Sequence, residues 1–314
     1  MLAVLAASLL VSCEQRSTRD SRSKAPAVAT TFYPTEYFAS RIGGDQVPVT
    51  CALPADADPS EWKPTPEAIR VLQQAQVIVV NGAEFEKWMP GAALPTSRIC
   101  DSAAPLAPKF IKFAGTTHSH GAAGQHTHQG TDGHTWMDPN NATVQAEQVL
   151  GAMCRRWPEH ERLFAERFGA LANDLKALDA RFVALSESVR AINLIATHPA
   201  YNYIAARYEW DIGSLDLPPE EPPSEGSLKA LGAMVAAAKD RPLVLLFESP
   251  PHDAVVKALA AMPNVRPVTF SPCEMLDQGE RAAGMTYLTV MNANLDALAA
   301  AVDATTPPAS PSSK

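Results

Sequence analysis

The stretch "PEAIRVLQQAQVIVVNG", Pro66–Gly82, joins a helix pattern directly to a strand pattern. Apolar residues in its first part lie three and four positions apart, which is typical of one face of a helix. Its second part, Ala75–Gly82, is a β-branched run that ends at a turn residue, which is typical of a buried strand. Helix and strand in alternation are the repeating unit of α/β proteins with parallel sheets.

The same alternation recurs in two blocks of the chain. The first block holds predicted strands Ala27–Phe32 and Val47–Leu53, with a helix over Pro34–Ile42 and a weaker strand at "SRICDS". The second block holds predicted strands Asn193–His198, Asp211–Leu217, Pro242–Ser249 and Val265–Ser271, with helices over Tyr201–Tyr208, Ser227–Lys239, Asp253–Ala261 and Asn292–Asp303. The predicted fold class is therefore α/β, with two lobes that each contain a parallel sheet flanked by helices.

A segment without strand patterns, residues 142–189, separates the two blocks. Pro158 divides it, and Glu159–Val189 carries apolar residues at helical spacing, among them Leu171, Phe182 and Val183. One long linker helix of about 45 Å is predicted there, at 1.5 Å per residue. The predicted organisation is an N-terminal lobe over 27–141, a helical linker over 142–189 and a C-terminal lobe over 190–304.

The first residues, "MLAVLAASLLVSC", form an apolar run that ends at Cys13. The run is too short to span a bilayer and resembles a bacterial export signal with a lipobox, in which Cys13 would be acylated. Residues 1–26 are thus predicted to be a signal and a polar tether, and residues 305–314 a disordered tail. An exported, periplasmic or cell-surface lipoprotein is expected, with an ordinary N-terminal helix as the alternative.

Composition excludes some classes of function. The net charge of −8 leaves no basic surface for nucleic acid, and 46% apolar with 19% charged residues is typical of a globular protein. The cysteines other than Cys13 form no C-x-x-C pair, so a zinc ribbon or thioredoxin motif is absent and buried free thiols are expected.

Five of the eight histidines fall within His118–Asn141. His118, His120, His126 and His128 lie in a glycine-containing insertion over 118–134. Their H-x-H spacing predicts a loop that captures metal with moderate affinity, and the alternative is a mobile insert with solvated histidines.

His134 and His198 are the best candidates for metal ligands. His134 opens the phrase Trp136-Met137-Asp138-Pro139, and His198 directly follows the predicted strand "NLIAT". Ligands of open α/β sheets bind beyond the carboxyl ends of the strands, and imidazole is a common zinc ligand. Two imidazoles from different halves of the chain therefore predict a metal site between the lobes.

Several segments, in order, resemble one known family. They are "DPSEWKPTPEAIRVLQQAQVIVVNG", "DGHTWMDPNNA", "ATHPAYNYIAARYEW", "EEPPSEGSLKAL", "RPLVLLFESPPH" and "TYLTVMNANLDAL". The chain is similar to the solute-binding receptors of bacterial ABC importers for zinc and manganese. This resemblance implies two lobes joined by a long helix, and a monomer that binds a metal ion without catalysis. It also implies that the receptor captures Zn²⁺, or alternatively Mn²⁺ or another divalent transition metal, and delivers it to an ABC permease with its ATPase.

Two positions depart from the family pattern. Ser60 stands where the family has a histidine, and Ser271 where it has an aspartate. Serine is a poor zinc ligand, so three hypotheses stay open. Neighbouring side chains replace the lost ligands, with Glu61, Cys273, Glu274 and Glu248 as weak candidates; or the loop histidines supply nitrogens; or the cleft binds another metal, a metal complex or a different ligand.

Other functions remain as alternatives. The fold could serve as an adhesin or scaffold that has lost its ion, or two histidines with an open coordination position could activate water in a zinc hydrolase. No His-Glu-x-x-His motif supports the hydrolase. The carboxylates Glu220, Glu221 and Glu225 are expected to be structural, with the orientation of His198 as the alternative. Metal affinity is expected to fall as the pH drops through about 6.5, where imidazole takes up a proton.

Overall fold

The computed structural model describes residues 27–55, 57–59, 61–113, 116–119, 125–128, 130–239, 241–262 and 264–304, with the backbone alone for 116–119 and 125–128. The predicted signal and tether with Cys13, the position Ser60, the loop residue His120 and the tail 305–314 lie outside the described residues. So do the side chains of His118, His126 and His128.

The N-terminal lobe is built on a four-stranded parallel sheet. Strand β1 (Val28–Thr30) lies between β2 (Val49–Cys51) and β3 (Val77–Val80), and β4 (Ile99–Asp101) pairs with β3. Every residue of β3 is buried, as expected for a central strand that is covered on both faces. Strand β4 lies within "SRICDS", the weaker strand pattern of the sequence.

The histidine-rich insertion contains a β-hairpin. Strands β5 (Thr116–Ser119) and β6 (Gln125–His128) pair antiparallel, with His118 opposite His126. Two segments of the insertion, which the sequence analysis treated as loop, therefore form strands.

The C-terminal lobe repeats the plan of the first. Its sheet has the order β10 (Val265–Thr269), β9 (Leu243–Phe247), β7 (Asn193–Ala196) and β8 (Ile212–Ser214), all parallel. The central strand β9, "LVLLF", is fully buried. The two parallel sheets confirm the predicted α/β class.

The α-helices of the described residues are α1 (Tyr33–Gly43), α2 (Pro66–Gln74), α3 (Pro139–Arg156), α4 (Glu161–Arg190), α5 (Asn202–Tyr208), α6 (Glu225–Ala238), α7 (Asp253–Ala260), α8 (Gln278–Ala282) and α9 (Tyr287–Asp303). Helix α9 begins five residues before the predicted start at Asn292, because Thr286 forms a capping box with Thr289. Within the described residues, no helix combines the length and the apolar character needed to cross a bilayer.

The long linker helix is α4, about 45 Å for its 30 residues. It packs against α1, α3 and α9, so it contacts both lobes. Leu171, Leu175 and Phe182 on its buried face belong to one apolar cluster that also contains Phe32 of the first lobe and Tyr287 of the second. A core shared in this way holds the lobes and the helix together as one packed unit. Val183, predicted on the apolar face, is 58% exposed because it lies to the side of that face.

Replacing Phe182 with alanine is expected to lower the free energy of unfolding by about 3–5 kcal/mol, the usual cost of emptying a buried aromatic site. Phe182 is fully buried and stacks on Tyr208, with ring centroids 4.8 Å apart. The neighbouring change Val183→Ala should cost less than about 0.5 kcal/mol. Urea denaturation of both variants measures the difference, and equal losses would contradict the assignment of the buried face.

Candidate metal centre

Three side chains from separate segments meet between the lobes. His134, His198 and Glu274 each offer one ligand atom, and these atoms lie within 4.8 Å of one another. The two imidazole rings have centroids 5.7 Å apart at 83°. Both histidines are buried and the Glu274 side chain is 13% exposed. The structure thus brings together the two best candidates from the sequence and one of the weak ones.

His198 and Glu248 are positioned by neighbouring strands. β7 ends at Ala196 and β9 at Phe247, and these parallel strands are paired through Ala196 and Leu246. The residues that follow emerge at the same edge of the sheet. Glu248 Oε2 lies 3.3 Å from His198 Nδ1, so the carboxylate holds one ring nitrogen of this histidine. Glu220 is one alternative from the sequence for orienting His198. In the structure Glu248 lies beside His198, and Glu220 accepts a hydrogen bond from Ser249 at 3.0 Å.

His134 is positioned by the base of the hairpin. Phe113 N donates to Gly130 O at 3.0 Å and Asp132 N to Ile111 O at 2.8 Å, so the two ends of the insertion are paired just before His134. Gly133 is required here because a Cβ atom would lie 2.8 Å from the ring of Phe85. The close approach of Phe85 therefore sets the path of the chain into His134.

Asp132 also belongs to the candidate centre, although the sequence analysis did not select it. Its Oδ1 accepts hydrogen bonds from the backbone N–H of His134 at 2.9 Å and lies 2.7 Å from His134 Nδ1. Metal-binding histidines are commonly oriented by such a carboxylate, which directs the other nitrogen, Nε2, to the ion. His134 Nε2 lies 2.9 Å from Glu274 Oε1. A carboxylate two residues before a candidate histidine is the signal that could have identified it.

The turn over residues 271–274 explains why Glu274, and not Ser271 or Cys273, reaches the centre. Ser271 Oγ accepts the backbone N–H of Cys273 at 3.1 Å, and its own N–H donates to Asn294 Oδ1 at 3.0 Å. Cys273 has φ +59°, in the left-handed region, so the chain reverses there and Glu274 points to His134.

Cys273 and Glu61, both weak candidates from the sequence, do not belong to this group. Cys273 is fully buried in the apolar core, and burial raises the pKa of its thiol well above the usual value, which disfavours the thiolate that binds zinc. The Glu61 side chain is 44% exposed and pairs with Lys87 at 3.2 Å on the surface. The cysteines among the described residues are free thiols, as predicted, but only Cys100 and Cys273 are buried, whereas Cys51 and Cys154 are partly exposed.

The electrostatics of the centre favour a cation. Burial alone would lower the pKa of His134, but Asp132 and Glu274 outweigh it and raise the pKa to about 10. Burial, with the negative charge of Glu274, raises the pKa of Glu248 to about 8. In the described part of the chain, Asp132, Glu248 and Glu274 thus surround two imidazoles with carboxylates that lack an Arg or Lys partner in the centre. Such a set is suited to a positive ion.

A comparison with known protein families identifies the family of the chain. The family model described as "ZnuA: Zinc-uptake complex component A periplasmic" matches residues 28–301. The chain belongs to the ZnuA family. Membership confirms the resemblance predicted from the sequence and supports a periplasmic binding protein over a hydrolase.

Relatives in the ZnuA family match more than nine-tenths of the chain. Zinc-binding lipoprotein AdcA of Streptococcus pneumoniae is 27% identical over 316 residues, which cover 96% of this chain but 60% of that protein. High-affinity zinc uptake system protein ZnuA of Bacillus subtilis is 26% identical over 297 residues, 92% of each. The chain therefore spans about 60% of the length of the AdcA relative and nearly all of the Bacillus one.

A solved structure of the family has the same fold. The Zn(II)-bound ZnuA-like domain of Streptococcus pneumoniae AdcA superposes with a TM-score of 0.75 at 22% identity, covering 89% of this chain and 100% of that domain. At this identity the likeness establishes the two-lobed architecture with its long helix. The assignment of ligands in this chain rests on its own geometry.

Proposed function

We propose that the protein captures zinc between its two lobes through His134, His198 and Glu274 and delivers it to an ABC permease with its ATPase. The observation that carries the proposal is the convergence of these three ligand atoms within 4.8 Å. A lipid anchor at Cys13 would keep the receptor beside the permease. The zinc-binding and lipoprotein descriptions of the relatives support both parts.

The donor set fits zinc. Zinc in proteins binds imidazole nitrogen and carboxylate oxygen at about 2.0–2.2 Å, with four ligands at the corners of a tetrahedron. At those distances two ligands lie about 3.4 Å apart, so atoms already within 4.8 Å need only small side-chain movements. Manganese prefers oxygen-rich, octahedral surroundings, and a set with two imidazoles favours zinc over it.

The two carboxylates behind the histidines would hold the rings for binding. Asp132 occupies Nδ1 of His134 and Glu248 lies against Nδ1 of His198. Nε2 is then the nitrogen with which each ring would bind the ion, and the carboxylate makes the ring a better donor.

The zinc content of the purified chain tests the proposal. A variant lacking residues 118–128 is expected to retain about one zinc ion per chain after dialysis, because the three proposed ligands all lie outside the deleted segment. The matched control is the same deletion combined with His198→Ala, which should retain none. Elemental analysis gives the numbers. If deletion of the loop removes all zinc, the metal belongs to the insertion and the proposed centre is wrong.

A further inference from the structure

Asp132 is held from the opposite lobe. Its Oδ2 accepts a hydrogen bond from Asn202 Nδ2 at 2.9 Å, and its backbone carbonyl accepts one from the hydroxyl of Tyr203 at 2.9 Å. The Tyr203 hydroxyl in turn accepts the backbone N–H of Ile111 at 3.2 Å. Asn202 and Tyr203 begin helix α5 of the C-terminal lobe, whereas Ile111 and Asp132 form the base of the insertion in the N-terminal lobe.

We propose that Asn202 and Tyr203 are positioning residues of the metal centre, which hold His134 in its binding orientation from across the cleft through Asp132. The inference rests on the proposed function and deepens it, because it says how the affinity of the site depends on the relative position of the lobes.

Both oxygens of the Asp132 carboxylate have partners. Asp132 is fully buried, and its two carboxylate oxygens are divided between the lobes: Oδ1 faces His134 and Oδ2 faces Asn202. Without the amide of Asn202, a buried oxygen would lose its partner, and the carboxylate would rotate to recover one. Rotation takes Oδ1 away from His134 Nδ1, so the imidazole loses the bond that orients it.

The same segment supplies a ligand and the support for another ligand. His198 lies four residues before Asn202, so both move with the C-terminal lobe. A displacement of that lobe would withdraw His198 and release Asp132 in one movement. The two losses reinforce each other, because His134 becomes unconstrained at the moment when its partner ligand leaves. The affinity for the ion would then fall more sharply with the displacement of the lobe than the loss of one ligand alone would cause.

Zinc affinity of Asn202 variants, measured by competition with a chelator, tests the proposal. Asn202→Ala should weaken binding by about tenfold, within the range usual for residues that support a metal ligand. Asn202→Asp has nearly the same shape but, when ionised, no donor, and should weaken binding at least as much. Asn193→Ala is the matched control, since the Asn193 amide bonds only backbone carbonyls of its own lobe.

A double-mutant cycle tests the route through Asp132. In a background of Asp132→Ala, the change Asn202→Ala should alter zinc affinity less than about twofold, because contacts that act through one residue are not additive. An undiminished tenfold effect in that background would overturn the proposal. A wild-type chain that binds no zinc would instead refute the proposed function, so the two failures are distinct.

Tyr203→Phe offers a variant that keeps the buried ring. It removes the hydroxyl that bonds Asp132 and Ile111 and should weaken zinc binding by several fold. Tyr208→Phe is its control on the same helix, since that hydroxyl donates to Asp179, away from the centre. Equal zinc affinity in the two tyrosine variants would count against the role of Tyr203.

Discussion

The variant Glu274→Ala is expected to bind zinc at least about 100-fold more weakly than the wild-type protein. A four-ligand zinc site contributes roughly 10–16 kcal/mol, so one ligand accounts for about 3 kcal/mol, or about two orders of magnitude in affinity. Glu274 is the carboxylate of the three-residue group, and its Oε1 lies 2.9 Å from His134 Nε2. Competition with a chelator of known affinity measures the loss.

Glu61→Ala is the matched control for this change. Glu61 follows the position at which the family carries its first ligand, but in the structure its side chain is 44% exposed and bonds Lys87. Its removal should leave zinc affinity unchanged within about twofold, because a surface ion pair contributes little. If Glu61→Ala weakened binding more than Glu274→Ala did, the proposed ligand set would be wrong.

Zinc affinity is expected to rise about tenfold for each pH unit between pH 6 and 8. Asp132 and Glu274 overcome the effect of burial and raise the pKa of His134 to about 10, so this ring carries a proton in the metal-free protein at neutral pH. Zinc must displace that proton, and displacement becomes easier as the pH rises. From the sequence alone, zinc affinity is expected to change around pH 6.5. The raised pKa of His134 shifts the expected change to higher pH.

Calorimetry in two buffers of different ionisation enthalpy counts the protons released. At pH 7 at least about one proton per zinc should appear, whereas an unperturbed imidazole of pKa near 6.5 would release only a fraction. An affinity that stays constant between pH 7 and 8 would mean that His134 is neutral before the ion arrives.

The same titrations affect stability in the metal-free state. The pKa of His134 is raised above its unfolded value, so its stabilising contribution is complete below about pH 6.5 and is lost as the pH rises towards about 10. Burial and Glu274 raise the pKa of Glu248 to about 8. Through this group, too, the stability of the metal-free protein decreases as the pH rises, here between about pH 4.5 and pH 8. The increase in Tm on adding zinc should therefore be larger at pH 8 than at pH 6.

The fold was predictable because its signals are local. Runs such as "VIVV" and "LVLLF" fit strands buried on both faces of a parallel sheet, and the spacing of Leu171, Leu175 and Phe182 marks the long helix. The start of α9 was missed because a capping box at Thr286 overrides a weak apolar pattern. The hairpin was missed because its strands, TTHS and QHTH, are polar throughout and show no alternation of apolar and polar residues, so the pairing of the two segments leaves no periodic signal in the sequence.

The candidate metal centre was predictable only in part, for a physical reason. A histidine that follows a strand pattern can be recognised from the sequence as a candidate ligand, as His198 was. The choice among Ser271, Cys273 and Glu274 depends on a backbone reversal at Cys273, and no residue in that turn demands φ +59° in the way glycine would. Asp132 likewise gains its importance from contacts 70 and 71 residues away, which only the folded chain creates.

The two ends of the histidine-rich insertion are paired with each other just before His134. Ile111 and Phe113 bond Asp132 and Gly130 through the main chain, and Lys112 bridges to Thr131, so the two ends close whatever lies between them. We therefore expect that the segment between the paired ends can be exchanged. A peptide epitope or a fluorescent reporter grafted there should leave the group of His134, His198 and Glu274 unchanged.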